Sequence, residues 1–540
     1  MQSKDSEDVH GLSTKIIKQI SQALYKPITL IINQSFRTGV FPDELKIAKI
    51  IPIYKGNESN INEVNNYRPI SILPVLSKIF EKIVFNQLYN YFSEQNLFFM
   101  SQYGFRRDHS TEFATLELTN RIHEHLNNGL NPITVYMDLS KAFDTINHKI
   151  LLTKLKHYGI ANTEIQWFTN YLTNRFQYVT HNNIKSSLKE ITTGVPQGSI
   201  LGPLLFIIYI NDLPSVTDLN IIQYADDTCL LIPFKHTLNQ NKLQSASNQI
   251  NNKLNTIHKW LAANKLSLNI NKTKCTIFHY KQKMLDTFPN IQINNLPLNF
   301  VHHYKFLGIM IDDTLTWDTH INYLSNKLSK VNALLSKLKH FFPKKTLLTI
   351  YNSLFLSNIN YGITSWGLGG TDRIETIQKK SIRNKNSSSY NAHTEPICRE
   401  LRILFFKDIL NLACLKFYHK YKNKNVPEYF IQSEFLKCCN ARRNNLRNIN
   451  PTTFPDYVIE TVNYRPNFFI PRTIKSSSEK RLSIYLSRLL NNRFFTKQVL
   501  DKVDTHSING IATYFKNLAI NNYNDSCNIR NCFICNKSAV

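Results

Sequence analysis

The sequence predicts an α+β fold, and three observations point to it. Ile221-Ile222 and Cys229-Leu230-Leu231-Ile232 flank Tyr224-Ala225-Asp226-Asp227, which reads as strand, tight turn, strand with two acids at the hairpin tip. A third acid, Asp138, ends a strand-like run, Ile133-Thr134-Val135-Tyr136-Met137. Segments with apolar residues at helical spacing alternate with these strands. One of them, after Pro203, carries Leu204, Leu205, Ile207 and Ile208 and should lie buried under the sheet. Three carboxylates on adjacent strand ends are the oxygen ligands that a two-metal phosphoryl-transfer site requires. An Asp-Asp pair alone carries little, because such pairs also occur in solvated turns and calcium loops.

The remaining elements follow in chain order. Residues 1–45 are expected to be helical, with Ile16, Ile17, Ile20 and Leu24, then Ile28, Leu30, Ile31 and Ile32. Residues 47–56 read as a β-hairpin arm leading to a turn at Gly56, with Arg68 on the returning segment. The segment 76–92 reads as a helix burying Ile79, Phe80, Ile83, Leu88 and Tyr91, and 148–158 as another after the first acid. Ile321, Leu324, Leu328, Val331, Leu335 and Leu338 form one apolar stripe, with Lys327, Lys330 and Lys337 off it on a common side. The polar stretch Ser381–Ala392 is expected to be a loop, Phe405–Tyr421 and Leu482–Leu490 helical, and Arg442–Asn450 a polar insert.

Charge points to a polyanionic partner. The chain of 540 residues holds 65 Lys and Arg against 38 Asp and Glu, a formal +27. Residues 321–540 hold 34 of the basic residues and 13 of the acidic ones. No acid lies between Asp318 and Asp372, where Lys327, Lys330, Lys337, Lys339, Lys344 and Lys345 fall. A basic half joined to a nearly neutral half suits nucleic acid held against a core; the competing reading is a merely soluble basic surface. The longest apolar stretch, near 200–210, is about half the length a bilayer needs, so no membrane partner is expected. The polar N-terminus lacks a signal peptide, and nine cysteines are too few for a disulfide scaffold. An intracellular setting, nucleus or cytoplasm, is therefore expected.

Seven blocks stand in a recognisable order. They are Asn66-Tyr67-Arg68-Pro69-Ile70-Ser71, Gln102-Tyr103-Gly104-Phe105-Arg106, Asp138 to Asp144, and Gly194 to Phe206 around Pro196-Gln197-Gly198; then Tyr224 to Asp227, Asn264 to Lys274, and Tyr304-Lys305-Phe306-Leu307-Gly308-Ile309. Across roughly residues 36 to 400 the chain resembles the reverse transcriptases of non-LTR (LINE-type) retrotransposons, of the jockey and CR1 kind. The resemblance implies a right-hand polymerase fold: fingers, a ferredoxin-like palm with an antiparallel sheet, a helical thumb and a helical C-terminal region. It implies a helical remnant of an upstream linker at 1–35, fingers and palm at 36–311, thumb at 312–395, and a basic C-terminal region at 396–540. The segment upstream of residue 45 is too short to be expected to house an endonuclease, so such a chain is expected to need a pre-existing DNA 3′ end.

The same resemblance implies RNA-directed DNA polymerisation. The expected partners are an RNA template, a DNA primer or target, and deoxynucleoside triphosphates, with two Mg²⁺ ions for which Mn²⁺ can substitute. Asp138 and Asp226 should bridge both metals and Asp227 hold the priming side; Lys272 matches a lysine that protonates the leaving pyrophosphate, though Lys274 is nearby. Phe143 is the expected steric gate against a 2′-hydroxyl, its competing reading being core packing. Gln197 and Gly198 should contact the nucleotide, where glycine lets backbone approach closely. Lys55 and Arg68 should grip the triphosphate, Arg as a fork and Lys as a compact charge; a solvated turn is the plainer reading for Lys55. Phe306, Leu307 and Gly308 should form the primer grip, and Lys327, Lys330 and Lys337 should lie along the duplex. Cys527, Cys532 and Cys535 supply three of the four ligands that tetrahedral zinc needs, so a zinc knuckle stays open there. Two alternatives stay open as well: a non-catalytic nucleic-acid-binding remnant, and a maturase-type or RNA-synthesising polymerase on the same fold.

Overall fold

Capping and burial define the first elements. The computed structural model describes residues 5–56, 60–182, 184–283, 285–385, 392–433 and 507–522, with isolated positions between 438 and 486. Helix α1 (Thr14–Gln19) begins where the Ser13 hydroxyl accepts from the Ile16 amide, and α2 (Ser21–Thr38) ends on a left-handed Gly39. Strand β1 (Ile47–Tyr54) pairs antiparallel with β2 (Tyr67–Ile72), which sets Arg68 opposite Ile53 as the arm predicts. Helices α3 (Val75–Glu94) and α4 (Thr111–Asn127) follow, then β3 (Ile133–Met137), α5 (His148–His157) and α6 (Asn162–Leu172). Strands β4 (Arg175–His181), β5 (Ile184–Lys185) and β6 (Lys189–Ile191) extend the arm into a five-stranded sheet, with β4 parallel to β1.

The second sheet carries the acids. Helix α7 (Leu201–Tyr209) leads to β7 (Asn220–Tyr224) and β8 (Asp227–Ile232), then α8 (Gln240–Ala263) and β9 (Lys274–Ile277). The short pair β10 (Gln292–Ile293) and β11 (Leu296–Pro297) precedes β12 (Asn299–Phe300). The sheet order is β12-β9-β3-β8-β7, and β9, β3, β8 and β7 are antiparallel neighbours. With helices between β3 and β7 and between β8 and β9, this is the ferredoxin-like βαββαβ arrangement.

Both faces of that sheet are covered, which explains its unbroken apolar runs. Val135, Leu230, Ile232 and Cys275 pack with the largely buried α7 and with α8. Tyr136, Cys229 and Leu231 point the other way, toward α4 and the helices that follow the sheet.

Those helices follow the hairpin of β13 (His303–Phe306) and β14 (Ile309–Asp312). They are α9 (Asp318–Leu338), α10 (Lys344–Ile350), a π-helical turn at Tyr351–Leu356, α11 (Ser357–Asn360), α12 (Ile363–Trp366) and α13 (Asp372–Lys385). Then come α14 (Thr394–Leu401), α15 (Phe406–Lys422), α16 (Glu428–Gln432) and a further helix at Ile508–Asn522. On α9, Ile321, Leu324, Leu328 and Leu335 are buried while Lys327, Lys330 and Lys337 are exposed, so the predicted stripe and basic side both appear.

Two expectations need correcting. The buried side of α3 is Phe80, Glu81, Val84, Leu88 and Phe92, with Ile79, Ile83 and Tyr91 only half-buried. The face is turned because Glu81 goes inside to accept from the Ile200 amide at 2.6 Å. The expected loop from Ser381 starts too early, since α13 continues to Lys385. Its polar composition hides a buried stripe of Ile374, Gln378, Ser381 and Ile382, in which the Gln378 amide donates to Tyr351 and to the Leu404 carbonyl. Arg442–Asn450 and the three tail cysteines lie outside the described residues, as does most of Leu482–Leu490. Among the described residues no helix is long and apolar enough to cross a membrane.

Candidate active site

The acid hairpin is tight. Tyr224 pairs with Asp227, leaving Ala225-Asp226 as a two-residue turn with Ala225 at φ 54°. A left-handed alanine costs roughly 1–2 kcal/mol, so something must hold it. The Gln102 side-chain carbonyl accepts from the Ala225 amide (3.0 Å) and from the Gly104 amide (2.8 Å). The Tyr103 amide donates to the Gln223 carbonyl (2.7 Å) and the Gln223 amide to the Ser101 carbonyl (2.9 Å). A Cβ on Gly104 would lie 2.3 Å from the Ala225 nitrogen. Only glycine lets this segment seat the turn so closely. The segment is anchored by buried Glu117, whose carboxylate accepts from Ser101, Tyr103 and Arg121.

Asp138 meets this hairpin across the sheet. Met137 pairs with Thr228, so the end of β3 and the start of β8 lie side by side. The Asp138 carbonyl accepts from the Asn269 amide (2.8 Å), and the Ser140 amide donates to the Ser267 carbonyl (2.8 Å). The Leu266-to-Asn269 block therefore fixes the backbone of the first acid. Lys272 Nζ stands 3.6 Å from Asp138 Oδ2 and is 69% exposed.

The three acids are electrostatically coupled. Burial raises Asp226, and the charge of Asp138 adds to this, while its own backbone amide and Arg68 pull it down. Burial in the cleft pushes Asp227 up to about 6, with Asp226 and Asp138 adding to it, although its side chain retains an open edge. Tyr304 is pushed up to about 12 by burial and then by Asp227 and Asp138. Among the described residues no group of three His, Cys, Asp or Glu side chains is drawn into a closed ligand cluster. The donor chemistry nevertheless fits a divalent cation. The hard carboxylates lie near enough for Asp138 to raise Asp226 and for both to raise Asp227, while Arg68 and Lys272 offset this from the rim.

The other expected site residues fall into four places. Beside the acids, the Phe143 ring stacks on Phe206 at 4.6 Å and meets Phe105 edge-on at 6.2 Å, half-buried. The Phe143 carbonyl accepts from the Val195 amide, and the Gln197 amide donates to Asp144 at 2.8 Å. A Cβ on Gly198, at φ 133°, would meet the Ser71 carbonyl at 2.3 Å, so this turn lies against β2, which carries Arg68. Lys55 is exposed on the arm, where Nζ donates to the Asn65 carbonyl at 2.6 Å. On the other side, Leu307 and Gly308 make a two-residue turn with φ 46° and 85°. Tyr361 donates to the Leu307 carbonyl at 2.7 Å, and Tyr304 and Phe306 pack on Tyr136 at 4.1 and 5.6 Å. Lys327, Lys330 and Lys337 stand apart on the open side of α9.

Sequence reasoning gave no role to Gln102, Gly104, Glu81 or Glu117. Glu81 and Glu117 sit inside otherwise ordinary helical runs. The available signal was the glycine of Gln102-Tyr103-Gly104, a residue type that marks close backbone approach.

Residues 53–340 match the family described as reverse transcriptase (RNA-dependent DNA polymerase). The chain is 28% identical over 422 residues to an RNA-directed DNA polymerase from mobile element jockey of Drosophila melanogaster, covering 75% of this chain and 45% of that protein. It is 28% identical over 424 residues to the jockey counterpart of Drosophila funebris, covering 76% and 45%. The chain thus spans about half the length of these relatives. Among solved structures, apo telomerase from Candida tropicalis is similar at 12% identity and a TM-score of 0.38, over 73% of this chain and 66% of that one.

Proposed function

The chain belongs to the reverse transcriptase family, and from that premise we propose that it is an RNA-directed DNA polymerase of a non-LTR retrotransposon. It extends a DNA 3′ end on an RNA template, taking deoxynucleoside triphosphates. The observation that carries this reading is the convergence of Asp138, Asp226 and Asp227 on adjacent strand ends, with the Asp226 turn clamped by Gln102.

In this reading Asp138, Asp226 and Asp227 hold two Mg²⁺ ions, with Mn²⁺ able to replace them. When bound, the ions acidify the primer hydroxyl and neutralise the triphosphate. The protein's own groups do the rest. Arg68 faces the acids from β2 and grips phosphate oxygens, with Lys55 further out on the arm. Lys272, 3.6 Å from Asp138, is the residue that would donate a proton to the leaving pyrophosphate. Phe143, braced on Phe206, closes the space under the sugar. Gln197 and Gly198 offer amide and bare backbone to the nucleotide, and the Leu307-Gly308 turn supports the primer strand. The thumb lysines hold the duplex. Zinc at Cys527, Cys532 and Cys535 is a separate proposal that rests on spacing alone.

Extension of oligo(dT) on poly(rA) by the purified chain tests the function. Mg²⁺-dependent product that is lost on RNase treatment of the template is expected. Extension only on DNA templates, or RNA synthesis in place of DNA, would refute it.

A further inference from the structure

A cavity of about 540 Å³ lies between α4, the π-helical turn, α15 and the Ile508–Asn522 helix. One face of α15 forms a wall, because Ile409, Ala413, Lys416, Phe417 and Lys420 recur at helical spacing. Phe113 lies beside Phe417, with ring centroids 6.0 Å apart. The wall is apolar at one end and cationic at the other.

Among the described residues the cationic end is not neutralised: Arg402, Lys416, Lys420 and Lys516 all line the cavity, against one acid, Glu112. The Glu112 carboxylate accepts from the Thr364 hydroxyl at 2.5 Å. None of the four cations forms an ion pair among the described residues. Arg402 sits at φ 52° and donates to Asn517, which brings it toward Lys516. Lys516 is held below the usual lysine range by burial and then by the Arg402 charge. Lys420 lies 5.5 Å from the Phe113 ring centroid. Like charges gathered at a partly buried cavity repel each other unless an anion joins them.

We propose that this cavity binds one unit of single-stranded nucleic acid, its base against the apolar wall of Phe113 and α15 and its flanking phosphates on Arg402, Lys416, Lys420 and Lys516. The proposal rests on the reading of the chain as a nucleic-acid polymerase. Four cations exceed what one carboxylate head group would need, whereas a strand brings a phosphate on each side of its base. An apolar wall can cover a base face without reading its identity, and the cavity is far too small for a duplex. The pocket is thus a holding point for unpaired strand.

The test uses a ten-nucleotide RNA carrying one 2-aminopurine, titrated in EDTA so that no catalysis intervenes. Wild-type chain should change the 2-aminopurine emission. Lys416→Gln with Lys420→Gln should flatten the slope of log K against log [salt] by up to about 1.4, at about 0.7 per lost single-strand contact. Ala413→Phe, which fills the wall without changing charge, should remove the emission change. Lys242→Gln with Lys259→Gln, a charge-matched pair on α8, should flatten the slope less. Equal flattening by the two pairs, or an emission change that persists in Ala413→Phe, would overturn the proposal. Saturation by oleate without any response to RNA would overturn it in favour of an acyl anion. Asp226→Asn should keep the emission change, so failure here is distinct from failure of the polymerase reading.

Discussion

Gly104→Ala should slow nucleotide addition by about two orders of magnitude while the fold survives. The added Cβ would stand 2.3 Å from the Ala225 nitrogen and 3.0 Å from both the Ala225 Cα and the Tyr224 carbonyl carbon. Ordinary contact begins at 3.4 Å, so the two backbones must separate by about 1 Å. Neither can yield cheaply. Gly104 is tied to Gln102, and Ala225 is a left-handed residue on the same acceptor. The turn that recedes is the one that carries Asp226. A misplacement of about 1 Å at a reacting centre costs roughly 10²-fold in rate, or about 2.7 kcal/mol. Overpacking should remove a further ~1–3 kcal/mol of stability. Single-turnover incorporation at saturating template–primer measures the first, and thermal melting the second. Gly370→Ala is the control, because nothing lies within 4 Å of its Cβ. A Gly104→Ala rate within threefold of wild type would refute the clamp.

Three further outcomes follow from the same geometry. Phe143→Ala should admit ribonucleotides more than it weakens deoxynucleotide use; an unchanged preference in single-nucleotide incorporation would make Phe143 a packing residue on Phe206. Lys327, Lys330 and Lys337 replaced together by Gln should flatten the salt slope of template–primer binding by roughly one to three units, at up to about 0.9 per contact. An unchanged slope would mean that they face water. Asp227 has a folded pKa of about 6 against an ordinary 3.8, so the folded state binds its proton more tightly between those values. Metal-free stability should therefore fall as pH rises across that window. Mg²⁺ affinity should rise over the same window as the proton leaves, then level off. Calorimetric titration against pH checks this, and Asp227→Asn should remove most of the dependence.

The acids were legible because strand periodicity and turn chemistry are local. Asp138 at the end of one apolar run and Asp226-Asp227 between two others needed no long-range information. The basic side of α9 was legible for the same reason, being a property of one helix. What could not be read were the supports. Glu81 and Glu117 are carboxylates inside helices, and only tertiary contact with the Ile200 amide and with Ser101, Tyr103 and Arg121 explains their burial. The same limit hid the buried side of α3 and the extent of α13, where polar Glu81, Gln378 and Ser381 face inward. A hydropathy pattern places polar residues outside, and each of these is inside because a partner from a distant segment meets it. The cavity beside α15 was equally invisible, since its cations come from separate segments around positions 402, 416–420 and 516.

The most direct measurement is the chemical step itself. Rapid-quench incorporation of one deoxynucleotide into a DNA primer on RNA, with template–primer and Mg²⁺ saturating, compares wild type with Asp138→Asn and Asp226→Asn. The account predicts incorporation by wild type and loss of detectable product in both variants, with template–primer affinity retained. Incorporation by either variant at the wild-type rate would contradict the assignment of these carboxylates.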